Sequence, residues 1–290
     1  MRFARFTCLL VLFALCRLGS AEAAISVTDA RGEPVTLEAP ATRIVALAPH
    51  AVELLYAVGA GEALSGVIAG SDYPPAAQAL PRVGSYQGIS LEAILSRRPD
   101  LVVSWLSGTP HAVTARLRGL GIPVYASEPR HLSDIPEELR ELGRLTGRAD
   151  RGEARAERFA ARLAELRQHF ARPPRVFYQV ASAPLTTLGD GQIITQVIRA
   201  CGGQPLFADS PVLVPQVSRE ALLAARPTVI LAAGDDDAWQ AAWQRWTTLP
   251  AVRDGHLYTL DPDEISRPGP RLLEGMAQVC RVLAEAATAQ

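Results

Sequence analysis

Residues 90–103 read SLEAILSRRPDLVV, and residues 218–231 read SREALLAARPTVIL. The two stretches align without gaps and share a serine, a Glu-Ala pair, apolar positions and an Arg-Pro dipeptide before a branched apolar run. In each copy the serine can cap a helix, the glutamate lies in the first turn, and the proline ends the helix before a strand. The repeat therefore predicts a helix–turn–strand unit that the chain uses twice.

Apolar stretches upstream of each copy extend this pattern. Residues 43–47 and 175–180 read as strands, and each is followed by a helical run that ends in glycines, at 59–61 or at 202–203. Strands that alternate with helices are typical of α/β proteins with parallel sheets. The sequence therefore predicts two Rossmann-like α/β lobes of similar topology.

The segment between the two lobes is rich in Ala, Arg and Glu. Phe159, Leu163, Leu166 and Phe170 follow helical spacing, which predicts one long amphipathic helix that ends before Pro173. A stiff helix favours two lobes at a nearly fixed distance with a ligand cleft between them. The predicted division of the chain is a signal peptide (1–23), an N-terminal extension (24–41), an N-terminal lobe (42–147), an interlobe backbone helix (148–172) and a C-terminal lobe (173–290).

Composition excludes several classes of protein. The 290 residues are 48% hydrophobic, which is enough for about two domains, and a net charge of -1 provides no basic field for nucleic acid. The sequence has no nucleophile elbow, histidine-pair metal motif, phosphate loop or dinucleotide fingerprint. The sequence motifs therefore indicate no enzyme class, and we assign no cofactor, catalytic residue or resident metal.

The first residues have the features of a secretory signal. Arg2 and Arg5 precede an apolar run at 6–15, and Ala21-Glu22-Ala23 fits a signal peptidase site. The run is too short to span a bilayer, so we expect export. Cleavage leaves two cysteines, Cys201 and Cys280, which either pair in an oxidising compartment or remain buried thiols.

Several side chains are candidates for binding a ligand or partner. Tyr86 and Trp105 lie near strand ends and either stack on a planar ligand or close a core, and His50 directly follows the first strand. Glu92 and Glu220 occupy equivalent positions in the repeat. They either dock onto an arginine-bearing two-fold partner or only favour their own helix N-termini.

Two further patterns allow more than one interpretation. Three consecutive carboxylates, Asp235, Asp236 and Asp237, are typical of a solvated turn, although they could bind a metal. Trp239, Trp243 and Trp246 follow helical spacing, which predicts one helix face packed on the second lobe, although these rings could instead stack on a ligand.

Longer stretches resemble the periplasmic cobalamin-binding proteins of bacterial ABC importers. The resemblance runs from about Arg43 to Cys280 and is carried by RIVALAPHAVELLYAVGAG at 43–61, SDYPP at 71–75, VPQVSRE at 214–220 and SRPGPRLLEGMAQVC at 266–280. It implies the helical-backbone (class III) fold, a periplasmic location, and a monomeric receptor for cobalamin or a related corrinoid.

The resemblance also implies roles for particular residues. Glu92 and Glu220 would dock arginines of a dimeric ABC permease, and Cys201 would pair with Cys280. The ligand-binding set that it implies is Pro49, Tyr86, Trp105, Asp263, Glu264, Ile265, Ser266 and Arg267.

The aromatic positions depart from that family, which leaves the ligand open. Trp105 is retained, whereas Gly70, Tyr86 and Val214 stand where the family has Tyr, Trp and Trp. The same architecture could instead bind haem or an iron–siderophore chelate, with Tyr73, Tyr86 or His50 as axial ligand. An exported metal-dependent hydrolase that uses residues 235–237 and an adhesion module that binds no small molecule also remain open.

Overall fold

The structure is a computed structural model that describes residues 24–288. The predicted signal peptide, residues 1–23, lies outside the described residues. In chain order, the elements of the first half are β1 (Ile25–Thr28), β2 (Pro34–Leu37), β3 (Ile44–Ala46), α1 (Pro49–Ala57), β4 (Leu64–Val67), β5 (Gly84–Ser85), β6 (Gly88–Ile89), α2 (Leu91–Ser96), β7 (Leu101–Trp105), α3 (His111–Gly119), β8 (Val124–Ser127) and α4 (Asp134–Leu145).

A long helix, α5 (Ala149–Leu166), leads into the second half. The elements that follow are β9 (Arg175–Gln179), β10 (Ala181–Ser182), β11 (Leu185–Thr186), α6 (Ile193–Ala200), β12 (Gln204–Pro205), α7 (Arg219–Ala225), β13 (Val229–Ala233), α8 (Pro250–Arg253), β14 (Leu257–Leu260), α9 (Pro262–Ile265) and α10 (Leu272–Thr288).

Each half contains one four-stranded parallel sheet, and the two sheets have the same strand order. The first is ordered β4-β3-β7-β8 and the second β12-β9-β13-β14. In both sheets the strand that comes first along the chain lies between the second and third strands, so chain direction across the sheet reverses there. This confirms the predicted α/β class with two Rossmann-like lobes, and it gives each sheet a switch point at its strand carboxyl ends.

The sequence repeat forms the same local structure in both lobes. The hydroxyls of Ser90 and Ser218 accept hydrogen bonds from the third backbone N–H of α2 and α7, at 3.1 and 3.0 Å. Each helix is followed by an arginine with left-handed backbone, Arg98 (φ 47°) or Arg226 (φ 46°), before the proline. The same unfavourable backbone conformation therefore recurs at equivalent positions, which supports the alignment of the two copies.

The correspondence extends to the start of the first strand in each sheet. The Arg43 guanidinium donates to the Arg98 carbonyl, and the Arg175 guanidinium donates to the Arg226 carbonyl. These bonds satisfy a carbonyl at the end of α2 or α7 that has no partner within the helix. An arginine at the start of the first strand of each sheet thereby ties the turn after α2 or α7 to that strand.

The interlobe helix is shorter than predicted. It ends at Leu166 rather than at residue 172, because Arg167 adopts an extended conformation (ψ 134°) and the Gln168 N–H donates to the Ala200 carbonyl at 2.9 Å. Phe170 still packs against the core, but it does so from a non-helical segment. A tertiary hydrogen bond thus ends the helix although its apolar periodicity continues.

One apolar core runs through both lobes. It includes Ile44 from the first sheet, Phe159 and Leu163 from α5, and Val176 from the second sheet. The predicted disulfide between Cys201 and Cys280 is present and joins the end of α6 to α10 within this core. The C-terminal helix is thereby fastened covalently to the second lobe.

Loss of this disulfide should lower stability substantially. The bond joins residues separated by 79 positions, and closing a loop of this length stabilises the fold by about 4 kcal/mol in the chain-entropy account. We expect the double variant Cys201→Ala, Cys280→Ala to lose about that much free energy of unfolding in a urea titration. Dithiothreitol should destabilise the wild-type protein but not the variant, and an unchanged urea midpoint would contradict the expectation.

Candidate functional site

A cavity lies at the switch point of the first sheet. Its volume is about 270 Å³, and its lining comes from the segments that follow β3 and β4, the β5–β6 hairpin and the end of β7. Pro49, Tyr86 and Trp105 are among the lining residues, so the structure brings these three predicted site residues together. Most of the remaining lining is aliphatic or backbone, which suits a ligand with a large apolar surface.

The two aromatic side chains of the cavity are accessible. Tyr86 is at the tip of the β5–β6 hairpin and is 94% exposed, and Trp105 at the end of β7 is 41% exposed. Gly108 allows the backbone to pass under the Trp105 ring, because a Cβ at this position would lie 2.0 Å from the Trp105 Cε3 atom. The rings of Tyr86 and Trp105 are therefore both accessible for stacking on a planar ligand.

Trp105 rests on a buried polar network. The His50 ring meets it edge to face with a centroid distance of 5.9 Å, and His50 Nε2 is hydrogen-bonded to Ser127 Oγ at 2.9 Å. Ser127 Oγ is hydrogen-bonded in turn to Glu138 Oε2 at 2.5 Å, and the Glu128 N–H donates to Glu138 Oε1. Burial lowers the pKa of His50 to about 4 and raises the pKa of Glu138 to about 8. Both groups therefore favour their neutral forms near pH 7.

The residues considered as axial ligands for a metal differ in accessibility. His50 is 3% exposed and its Nε2 atom is occupied by Ser127, so it is not available to a ligand in the cavity. The Arg271 guanidinium covers one face of the Tyr73 ring, at 3.8 Å from the centroid. Tyr86 remains fully accessible.

Residues 263–267 follow the last strand of the second sheet. Asp261 caps α9 by accepting hydrogen bonds from the Asp263 and Glu264 N–H groups. Asp263 Oδ1 accepts from Arg267 Nη2 at 2.6 Å, and Ser266 is exposed. Asp263, Ser266 and Arg267 are therefore the polar groups that this segment offers near the boundary between the lobes.

Two members of this segment do not have the predicted placement. Ile265 is completely buried in the core and cannot contact a ligand, because its side chain anchors α9. Glu264 Oε2 accepts a hydrogen bond from Gln278 Nε2 at 2.7 Å, which ties this carboxylate to α10. The ligand assignment of Ile265 was thus wrong, and the side chain of Glu264 is engaged within its own lobe.

Sequence reasoning missed an ionic cluster beside the cavity. Glu53 on α1 has a side chain that is 2% exposed, and its two oxygens accept hydrogen bonds from Arg267 and Arg271 of the second half. Asp72 also binds Arg267, at 2.6 Å, and Tyr73 stacks on Arg271. We call these five residues the interlobe latch. The signal that could have revealed it is a single acidic residue within the otherwise apolar run AVELLYA.

Glu92 and Glu220 are exposed, each in the first turn of the helix that its serine caps. The backbone N–H of Glu220 and the Ser218 hydroxyl hold the pKa of Glu220 below its usual value. Both carboxylates lie on equivalent helices of the two lobes, as the repeat predicts.

The acidic triplet and the tryptophans form a different local structure from the predicted helix. Asp236 Oδ1 accepts from the Ala238 N–H at the start of a short 3-10 helix, Ala238–Ala242, and Asp237 Oδ1 accepts from the Gln240 side chain. Successive i to i+3 backbone bonds then link Gln240, Trp243 and Trp246. The predicted α-helical face is therefore wrong, although the tryptophans do pack on the second lobe. Within residues 24–288, no group of three or more His, Cys, Asp or Glu side chains is placed to hold a metal ion.

The sequence matches the model of the periplasmic binding protein family over residues 44–264. The chain belongs to the periplasmic binding protein family. Among curated proteins, it is 40% identical over 247 residues to a vitamin B12-binding protein of Vibrio cholerae, an alignment that covers 84% of this chain and 90% of the relative.

Solved structures of the same family share this architecture. The crystal structure of the periplasmic vitamin B12-binding protein of Vibrio cholerae has a TM-score of 0.77 and 39% identity, covering 85% of this chain and 98% of that chain. A periplasmic heme-binding protein from Roseiflexus sp. RS-1 has a TM-score of 0.75 and 26% identity, covering 84% and 98%. The predicted class III fold and the prediction of a binding protein rather than an enzyme are confirmed. In the described part of the chain, no helix combines the length and apolarity required to cross a membrane.

The buried network makes stability depend on pH in a specific way. Folded Glu138 keeps a proton between about pH 4.5 and 8 that the unfolded chain releases, so the wild type loses stability as pH rises through that range. Folded His50 lacks a proton between about pH 4 and 6.5 that the unfolded chain binds, so this group has the opposite effect. The two effects cancel between about pH 4.5 and 6.5, and a loss from about pH 6.5 to 8 remains.

Glu138→Gln should abolish that loss. We expect its free energy of unfolding, measured by urea titration, to rise from about pH 4 to 6.5 and then to stay level, whereas the wild type declines above pH 6.5 by up to about 1.4 kcal/mol per pH unit. Glu157→Gln on the exposed face of α5 is the control and should keep the wild-type profile. A decline above pH 6.5 that persists in Glu138→Gln would contradict this assignment.

Proposed function

We propose that the chain is a periplasmic receptor that captures cobalamin or a related corrinoid and delivers it to an ABC permease in the inner membrane. Family membership, similarity to proteins named for vitamin B12 binding, and the aromatic cavity at the switch point support this proposal. The observation that carries it is the cavity, because it presents Tyr86 and Trp105 on mostly apolar walls.

A corrinoid is a broad, flat ring with amide side chains, and the site offers groups for both parts. The aromatic rings can stack on the macrocycle or on its attached base, with about 0.5 to 1.5 kcal/mol for each pair. From the second lobe, Asp263, Ser266 and Arg267 can hydrogen-bond the amide groups around the ring. Gly70 has a φ of +84° and a Cβ there would meet only Pro49 within 4 Å, so this part of the rim is left open.

Calorimetric titration of the purified mature protein with cyanocobalamin tests the ligand. We expect binding at micromolar concentration or tighter, and no binding at that concentration would overturn the proposal. Hemin serves as the comparison ligand, because a shift of its Soret band at equal concentration, without cobalamin binding, would assign the site to haem instead.

Trp105→Leu should weaken cobalamin binding about tenfold, because it removes one stacking partner from the cavity. The matched control is Trp246→Leu, which makes the same change on the second lobe among residues outside this cavity. The affinity of the control should equal that of the wild type in the same calorimetric assay. Equal losses in the two variants would show that the Trp105 effect is not specific to the site.

The permease would be recognised through Glu92 and Glu220. Both are exposed, both lie in the first helical turn, and the equal topology of the lobes relates them by an approximate two-fold axis. A dimeric permease with an arginine on each subunit offers matching charge-assisted hydrogen bonds. We expect the free receptor to be a monomer.

Charge reversal tests the docking role separately from ligand binding. The double variant Glu92→Arg, Glu220→Arg should abolish most cobalamin uptake in a strain that depends on this receptor, while calorimetry gives wild-type affinity. Glu157→Arg on α5 is the control and should leave uptake unchanged. Loss of cobalamin affinity in the double variant would instead place these carboxylates at the ligand site.

A further inference from the structure

The interlobe latch joins the two halves of the molecule at a buried carboxylate. Glu53 Oε1 accepts from Arg271 Nη2 at 2.7 Å and from Arg267 Nη1 at 3.3 Å, and Glu53 Oε2 accepts from Arg271 Nε at 3.0 Å. The pairing with Arg271 is therefore bidentate, and the two partners are separated by 218 positions in the chain. A bidentate pair fixes the relative orientation of the two groups more strictly than a single contact does.

Burial makes this contact obligatory. A carboxylate that is 2% exposed loses nearly all of its hydration, and among residues 24–288 only the two guanidinium groups donate hydrogen bonds to it in return. The hydrogen bonds that Arg271 donates to Glu53 in turn hold the pKa of Arg271 above its usual value. Separation of the lobes at this point would leave Glu53 with an unpaired charge, so the ligand-free protein strongly favours the joined arrangement.

The latch is also connected to both walls of the ligand site. Glu53 lies one helical turn after Pro49 on α1, and Pro49 lines the cavity. Across the boundary, Arg267 closes the segment of residues 263–267 that follows β14. The position of this segment relative to the aromatic cavity is thus set through one helix and one ion-pair cluster.

The partners of Arg267 differ in accessibility. The side chains of Asp72 and Asp263 are 48% and 46% exposed, whereas that of Glu53 is buried. An acceptor group of a ligand can therefore replace Asp72 or Asp263 on the Arg267 guanidinium. Glu53 would meanwhile continue to accept the hydrogen bond from Arg267 Nη1.

We infer that Glu53 is a positioning residue for ligand binding: it holds Arg267 at the rim of the aromatic cavity and fixes the width of the cleft before ligand arrives. The SDYPP stretch then acts at the boundary between the lobes, through Asp72 and Tyr73. The effect on affinity rests on the proposed function, whereas the effect on the cleft does not.

Three variants separate positioning from simple stabilisation. Glu53→Gln removes the buried negative charge and leaves the guanidinium groups of Arg267 and Arg271 without their shared carboxylate partner. Glu53→Gln with Arg271→Gln removes both members of the bidentate pair, which restores charge balance and should recover most of the global stability. Glu153→Gln is the matched control, because Glu153 forms a bidentate pair with Arg140, at 2.9 and 2.9 Å, that does not cross the lobe boundary.

The first measurement uses the ligand-free protein. Hydrogen exchange by mass spectrometry should be about tenfold faster over residues 265–274 in Glu53→Gln and in the double variant, because the latch holds this turn against α1. Glu153→Gln should exchange like the wild type over the same residues. Wild-type exchange in Glu53→Gln would overturn the latch, whether or not the protein binds a corrinoid.

The second measurement is cobalamin affinity. We expect about a tenfold loss in Glu53→Gln that persists in the double variant although its thermal midpoint recovers, since Arg267 still lacks its buried partner. Recovery of affinity together with stability would reduce Glu53 to a structural residue and overturn the positioning role. Absence of binding in the wild type would overturn the proposed function alone, because the exchange measurement still decides the latch.

Discussion

The shared apolar core is the constraint on which the rest of the structure depends. Phe159 and Leu163 of α5 are buried in the same cluster as Ile44 of the first sheet and Val176 of the second. Neither sheet could move far from α5 without exposing part of this cluster to water, at a cost of about 25 cal/mol for each Å² of apolar surface. The two lobes therefore behave as parts of one folded unit, and the cleft between them is shaped by packing as well as by charge.

The position of the candidate site follows from strand order. In a parallel sheet all carboxyl ends meet at one edge, and a crevice opens where the chain turns to opposite sides. Pro49 follows β3 and Trp105 ends β7, and these are the two strands that flank the switch point. Residues far apart in the chain are brought together in this way without any direct bond between them.

Local signals made most of the fold predictable. Ser90 and Ser218 cap their helices, Pro99 and Pro227 precede strands, and both copies of the repeat form the same structure because their contacts are short in sequence. The end of α5 could not be found in this way, since a hydrogen bond to Ala200 overrides the apolar periodicity.

The candidate site was only partly predictable for a related reason. Aromatic residues near strand ends located Tyr86 and Trp105, but the burial of Ile265 depends on the packing of α9. Glu53 and Arg267 pair across 214 positions, and no spacing rule relates residues so distant. The shared strand order of the two lobes has one further consequence. If the receptor docks through Glu92 and Glu220 as proposed, half a turn of the receptor would exchange the two carboxylates but would move the aromatic cavity, whose lining comes from the first lobe alone. A permease with two equal subunits would then meet the same pair of charges in either orientation of the receptor.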